Sequence, residues 1–341
     1  MKLLSSAVLY AAAFFGSHLT AADSIEHRQT APVLPAEELA ACNGAPEQYD
    51  MPVNYFPWLG TCDVGADSEN IKDLMYKGIR LLDLKLCKQS QGKHMAVCSA
   101  DGEPSAMRWQ DVLDPVLDFA RAEPEQIIVI NLDLKEQDVE TMEDDLDAVC
   151  KVHAERTEGT KLYEPRECPF VYTLKFPAMS WPSLGELVNY DPQMAQWEGD
   201  GELVGVRSKV ILTYNGNMLP RHRTSYLSKK FWTTVELEEK DTAERLNELC
   251  SSANAVGLKG EIKPKIWENA LFEPSSCNIN EASAKTFINV LLTNSVNDKL
   301  LYLRNLQSLL VPVNYAKWQG RDKIVLPTTN VEEEEHEHDE L

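Results

Sequence analysis

Gly78–Cys87 reads GIRLLDLKLC, and its alternation decides the fold. At period two, Leu82, Leu84 and Leu86 share one face, while Asp83, Lys85 and Cys87 share the other. A strand buried on both faces is apolar throughout, so a charged face needs a cause. Two arrangements supply one. In the first, this is an edge strand with its polar face in water. In the second, Asp83 and Lys85 stand at the carboxyl end of a barrel strand, where sites are built.

Two similar runs flank it. Tyr55–Asp63 (YFPWLGTCD) precedes it and His94–Asp101 (HMAVCSAD) follows, so Tyr55–Thr61 and Met95–Cys98 are expected as strands one and three. A helix over Ser68–Lys77 lies between the first two, ended by Gly78. Beyond strand three, Trp109, Val112, Leu113, Val116, Leu117 and Phe119 predict a helix over Ala106–Ala122, with Pro115 expected to kink or divide it. Ile127–Lys135 is the fourth strand; it repeats Leu-Asp-Leu-Lys and presents Asn131, Asp133 and Lys135 at alternate positions. Helices follow over Val139–Arg156, Glu236–Ser252 and Leu300–Leu310, and strands over Lys209–Tyr214 and Ala284–Thr293. This alternation predicts an α/β protein, a single TIM-like (β/α) barrel over 23–326.

The two ends carry addresses instead of fold. Lys2, the apolar segment Leu3–Phe15 and small Ala21 and Ala22 form a secretory signal peptide over 1–22. Residues 327–341 are an acidic tail closing in His338-Asp339-Glu340-Leu341, the HDEL address read by the retrieval receptor of the endoplasmic reticulum. That receptor is the expected partner, and the lumen the expected location. No later stretch reaches the roughly 18 apolar residues of a transmembrane helix. A net charge of −21 repels phosphate backbones, which excludes nucleic acid as a partner. The basic exception is the segment holding Arg207, Lys209, Arg221, His222 and Arg223.

Eight cysteines in an oxidising compartment imply disulfides. Short separations favour Cys150 with Cys168 and Cys250 with Cys277; Cys62, Cys87 and Cys98 fall at or near the ends of three strands expected to be barrel neighbours, so Cys62 can pair with either of the others. No C-x-x-C pair occurs, and neither a metal nor a cofactor is expected.

Five short motifs in order carry a resemblance: Cys42-Asn43-Gly44, Gly60-Thr61-Cys62-Asp63, Gly78-Ile79-Arg80-Leu81-Leu82-Asp83, Val97-Cys98-Ser99 and Trp181-Pro182-Ser183-Leu184-Gly185-Glu186. Over roughly Cys42–Asn215 the chain resembles the fungal branch of the phospholipase C-like phosphodiesterases, whose X-type domain is an irregular (β/α) barrel. The resemblance implies phosphodiester cleavage by two histidines, one deprotonating a nucleophilic hydroxyl and one protonating the leaving oxygen. It also implies a cation on the phosphoryl oxygens and an orienting acid. The matching positions here are Cys62, Asp63, Asp83, Lys85 and Ser99, so a thiol and a hydroxyl stand where the imidazoles would be.

Imidazole suits that chemistry because it titrates near neutrality. Ser99 does not, and a thiol titrates near 8.5. Lys85 still offers a point charge to phosphate, with Arg221 and His222 as further phosphate-binding candidates. Of the remaining histidines, His94 is read as starting a strand at the wrong end of the barrel and His153 as lying on a surface helix. Two function classes follow. One is a phosphoric diester hydrolase of the lumen acting on a phospholipid or related diester, with impaired or lost acid–base catalysis. The other is a non-catalytic barrel binding a phosphate-bearing or glycan ligand or a client protein. A glycoside hydrolase using Asp83 and Asp133 is the weaker third.

Overall fold

Alternate apolar residues build two packed layers on the two faces of one sheet. The computed structural model describes residues 41–64, 68–89, 93–99, 101–123, 125–155, 168, 170–172, 181–188, 210–215, 226–237, 256–260, 288–293 and 296–319, all within one compact unit. Residues 1–22 and 327–341, with Arg207, Lys209, Arg221, His222, Arg223, Cys250 and Cys277, lie outside the described residues.

The strands are β1 (Trp58–Thr61), β2 (Leu81–Lys88), β3 (Met95–Cys98), β4 (Pro104–Arg108), β5 (Ile128–Asp133), β6 (Val171–Tyr172), β7 (Val210–Tyr214), β8 (Ser228–Lys229), β9 (Thr233–Leu237), β10 (Val256–Gly260) and β11 (Ile288–Thr293). The helices are α1 (Ala41–Gly44), α2 (Ser68–Tyr76), α3 (Trp109–Ala122), α4 (Val139–Glu155), α5 (Leu184–Val188) and α6 (Val296–Trp318). Parallel ladders join β7, β5, β2, β1, β11, β10 and β9 in that order, and β6 and β8 pair with the other edge of β7. β8 and β9 belong to one stretch, interrupted only at Lys230–Trp232, with β8 on β7 and β9 on β10. One chain segment thus joins the two edges of the curled sheet, and the fold is a (β/α) barrel.

The register separates the two layers. Leu82, Ile130 and Leu212 share a row across β2, β5 and β7 and pack outward with Ile71, Val116, Leu146 and Leu303 of the helices. The adjacent row, Leu81, Val129 and Ile211, packs inward with Trp58, Val290 and Leu292. Met51, Val53 and Phe56, just before β1, join Leu184, Leu187 and Val188 to fill the amino end. Gly60 is required there: a Cβ would lie 2.8 Å from the Leu81 carbonyl oxygen and 2.9 Å from Leu292.

Three of the five motifs serve this scaffold. Asn43, at φ +57°, accepts from the Ile127 N–H at 2.8 Å and donates to its carbonyl at 3.1 Å, acting as a strand partner at the amino end of β5. Ser183 and Glu186 form a reciprocal capping box at α5, the Ser183 N–H donating to Glu186 at 2.6 Å and the Glu186 N–H to Ser183 Oγ at 3.1 Å. Arg80 is buried at the amino end of β2, donating to Gln126 and to the Met75 and Ile79 carbonyls over the Phe119 ring. Gly78, at φ +89°, turns the chain from α2 toward it.

Several expectations are corrected. Met95–Cys98 is no barrel strand; β3 pairs antiparallel with the far end of β2 and with β4, forming a flap beyond the barrel. Disulfides join Cys87 to Cys98 within that flap, and Cys150 to Cys168 as expected. Cys62 keeps its thiol, because the flap brings the Cα atoms of Cys87 and Cys98 to 5.7 Å and leaves β1 outside the pair. The helix predicted from Ala106 starts at Trp109, since Pro104–Arg108 forms β4, and Pro115 sits inside α3 without dividing it. Glu236 and Leu237 belong to β9, not to a helix; the rest of that expected helix lies outside the described residues. His153 is fully buried, its Nε2 2.9 Å from Asp114 and its ring against Phe170. His94 lies at the carboxyl side of β2 because β3 runs antiparallel, and its Nδ1 is 2.6 Å from Asp145 of α4.

Candidate functional site at the barrel mouth

The inward row is apolar at the amino end of the strands and polar at the carboxyl end. On β2 it runs from Leu81 to Asp83 and Lys85, on β5 from Val129 to Asn131 and Asp133, on β7 from Ile211 to Thr213. On β10, Gly257 and Lys259 alternate with Leu258, which packs outward.

A polar relay fixes Asp83. The Thr213 hydroxyl donates to Asn131 Oδ1 at 2.9 Å, and Asn131 Nδ2 donates to Asp83 Oδ1 at 2.6 Å and lies 3.2 Å from Asn215 Oδ1. Asn131 and Thr213 are fully buried, and the Asp83 side chain is only 14% exposed. The other Asp83 oxygen faces Lys259 Nζ at 3.5 Å. Asp83 is thus a carboxylate held in one orientation beside a cation.

Lys230, in the interval between β8 and β9, is half-buried. Its ammonium lies 4.8 Å over the Trp232 ring and donates to Thr234 Oγ1 at 2.8 Å. Burial is the main influence and lowers its pKa; Asp83 opposes this, Lys259 adds to it and Asp133 opposes it. Sequence reading missed both Lys230 and Lys259. The signal for Lys259 was the short alternation of Val256–Gly260; Lys230 stands in an irregular interval with no signal of its own.

Cys62 follows β1 at the mouth. Burial pushes its thiol pKa up, Lys259 lowers it, and Asp83 raises it again, so the thiol is held protonated at neutral pH. Asp63 is exposed beside it; its N–H donates to Thr61 Oγ1 at 3.0 Å, and the Thr61 hydroxyl donates to the Thr293 carbonyl at 2.8 Å. Ser99 stands apart, in the β3–β4 turn, with Oγ 3.2 Å from the Glu103 carbonyl. Lys85 is exposed and leans toward that turn, its Nζ 3.5 Å from where a Cβ on Gly102 would be. The structure therefore brings together Cys62, Asp83, Lys230 and Lys259. Lys85 and Ser99 belong to the rim, and Arg221 and His222 lie outside the described residues. No group of three or more metal-ligating side chains occurs among the described residues.

No family model and no curated protein matches the chain. Among solved structures it is similar to a phosphatidylinositol-specific phospholipase C from Listeria monocytogenes, at 11% identity and TM-score 0.42, covering 79% of this chain and 99% of that one. A phosphatidylinositol-specific phospholipase C from S. aureus gives 13% identity, TM-score 0.40, and coverage of 74% and 90%. The L. pealei protein PLC21 gives 8% identity and TM-score 0.36, over 72% of this chain and 37% of its own. No helix among the described residues is long and apolar enough to cross a membrane.

Proposed function

We propose that this is a lumenal protein of the endoplasmic reticulum on a phospholipase C-like phosphodiesterase barrel. Its mouth takes the phosphoryl group of a phosphodiester or phospholipid-like small molecule, and it has lost the two-imidazole acid–base chemistry that its sequence resemblance implies. Lys259 supplies the anchoring charge, Lys85 a second charge at the rim, and Asp83 is oriented to accept from ligand hydroxyls. A compact ammonium suits phosphate as a point charge.

One observation carries the reading. Of the positions matching the two histidines, one holds a thiol at the mouth that is kept protonated, and the other a serine in the β3–β4 turn engaged with the Glu103 carbonyl. Losing a general acid or a general base forfeits roughly 10²–10⁴-fold each. The test pairs calorimetric binding of inositol 1-phosphate with a phosphatidylinositol cleavage assay on the purified protein. Saturable binding without turnover is expected. Turnover at ordinary enzymatic rates, unchanged in Cys62→Ala, overturns the catalytic half; absence of binding overturns the ligand half.

A further inference from the structure

Lys230 and Lys259 are unlike neighbours. Lys259 has a carboxylate, Asp83, at 3.5 Å. Lys230 has neutral partners, the Thr234 hydroxyl at 2.8 Å and the Trp232 ring at 4.8 Å. Its removal from water outweighs Asp83 and Asp133, which act to keep the proton on Lys230, and Lys259 adds to the loss, so the ammonium gives up its proton more readily than a surface lysine. Such an amine is a nucleophile toward carbonyl carbon, and the barrel mouth gives it an approach.

We propose that Lys230 captures small carbonyl compounds as an imine, and that those bearing an anionic group are preferred because Lys259 receives the charge. The second half rests on the phosphate reading of the mouth; the first does not. In the addition step, the lone pair of neutral Lys230 Nζ forms the C–N bond while the carbonyl π pair moves to oxygen, which takes the proton released by nitrogen. The carbinolamine then loses water, the departing hydroxyl taking a proton and nitrogen giving one up. The balance is amine plus carbonyl to imine plus water, with no oxidant or reductant. Asp83 and Asp133, whose charges act on Lys230, are the groups available to relay the proton. The Trp232 face excludes water from one side of the bond that forms.

The experiment treats the purified full-length protein with glycolaldehyde or glycolaldehyde phosphate in the presence of sodium cyanoborohydride, and maps adducts by peptide mass. At neutral pH, Lys230 is expected to label faster than exposed Lys151, because its lowered pKa leaves more of it as free amine. Glycolaldehyde phosphate is expected to react faster than glycolaldehyde, and Lys259→Met to erase that preference. Lys230→Arg keeps the charge and the ring contact but cannot form the imine, and its folding is checked by circular dichroism. Loss of the mouth adduct in this folded variant supports the proposal. Labelling of Lys230 no faster than Lys151, or a mouth adduct that persists in Lys230→Arg, overturns it. Equal rates with the two aldehydes leave the capture standing and remove the anion preference. An unreactive Lys230 with inositol 1-phosphate still bound overturns the capture while the phosphate reading of the mouth stands.

Discussion

Asp83 and Asn131 are register partners on β2 and β5, and their side chains meet, Asn131 Nδ2 donating to Asp83 Oδ1 at 2.6 Å. The same amide accepts from Thr213 at 2.9 Å. Asn131 is therefore the joint between a buried hydroxyl and the mouth carboxylate. Its shape matches leucine closely, but leucine neither donates nor accepts.

Asn131→Leu is expected to destabilise the fold by about 1–3 kcal/mol, since it strands buried polar partners. It should also weaken inositol 1-phosphate binding, because Asp83 loses its fixed orientation. Urea unfolding and calorimetry check the two effects. A variant as stable as the parent would show that the relay holds nothing in place.

Lys317, near the end of α6, is 2% exposed, and burial pushes its pKa down to about 8. The unfolded chain holds that proton until about 10.4. A depressed folded-state pKa contributes stability present above the unfolded value and lost as pH falls through the folded one. Lys317→Met is therefore expected to gain on the parent as pH falls from about 10.4 toward 8, by up to roughly 3 kcal/mol at neutral pH. Thermal melts of both proteins across that window check it. The readout is the slope of the difference, which a simple packing change would not produce.

The barrel face of β2 was legible because Leu82, Leu84 and Leu86 alternate with Asp83 and Lys85 over one uninterrupted strand. The outward leucines follow the helices, and the inward charges reach the mouth, as that period demands. Lys230 and Lys259 were not legible for a physical reason. Lys259 comes from the five-residue β10 and Lys230 from the interval between the short β8 and β9, strands whose pairing with β7, β10 and β11 is non-local, and Glu236 in β9 fits a helical pattern as well. The flap misled for another reason. Met95–Cys98 has strand composition, but composition does not distinguish a barrel strand from a hairpin folded back on β2. His153 misled because a charged helix buries whichever face its neighbour covers, here against Asp114 of α3 and Phe170.

Deleting His338–Leu341 is expected to move the protein from the cell to the medium. Under the proposed lumenal reading, His338-Asp339-Glu340-Leu341 serves as the retrieval address and residues 1–22 direct entry to the same compartment. Immunoblots of cells and medium for the two forms check this. Retention of the truncated form would mean that something other than the carboxyl terminus holds it.

Cys62 reports on the charges of the mouth. Its thiol pKa is raised first by burial, lowered by Lys259 and raised by Asp83. Alkylation by iodoacetamide follows the thiolate, so the pH at which the rate reaches half its plateau tracks these influences. Asp83→Asn removes a negative charge and is expected to move that point to lower pH. Lys259→Met removes a positive charge and should move it to higher pH. Opposite shifts in two variants of similar stability separate electrostatics from loosened packing, which would speed alkylation in both. Cys87 and Cys98, joined in the flap, should stay unlabelled until the protein is reduced. Peptide mapping of the non-reduced protein reads all three cysteines at once. Should Cys62 prove refractory at every pH before reduction and reactive only after it, the thiol assigned to the mouth is wrong, and the charges of Asp83 and Lys259 must be probed through the ligand instead.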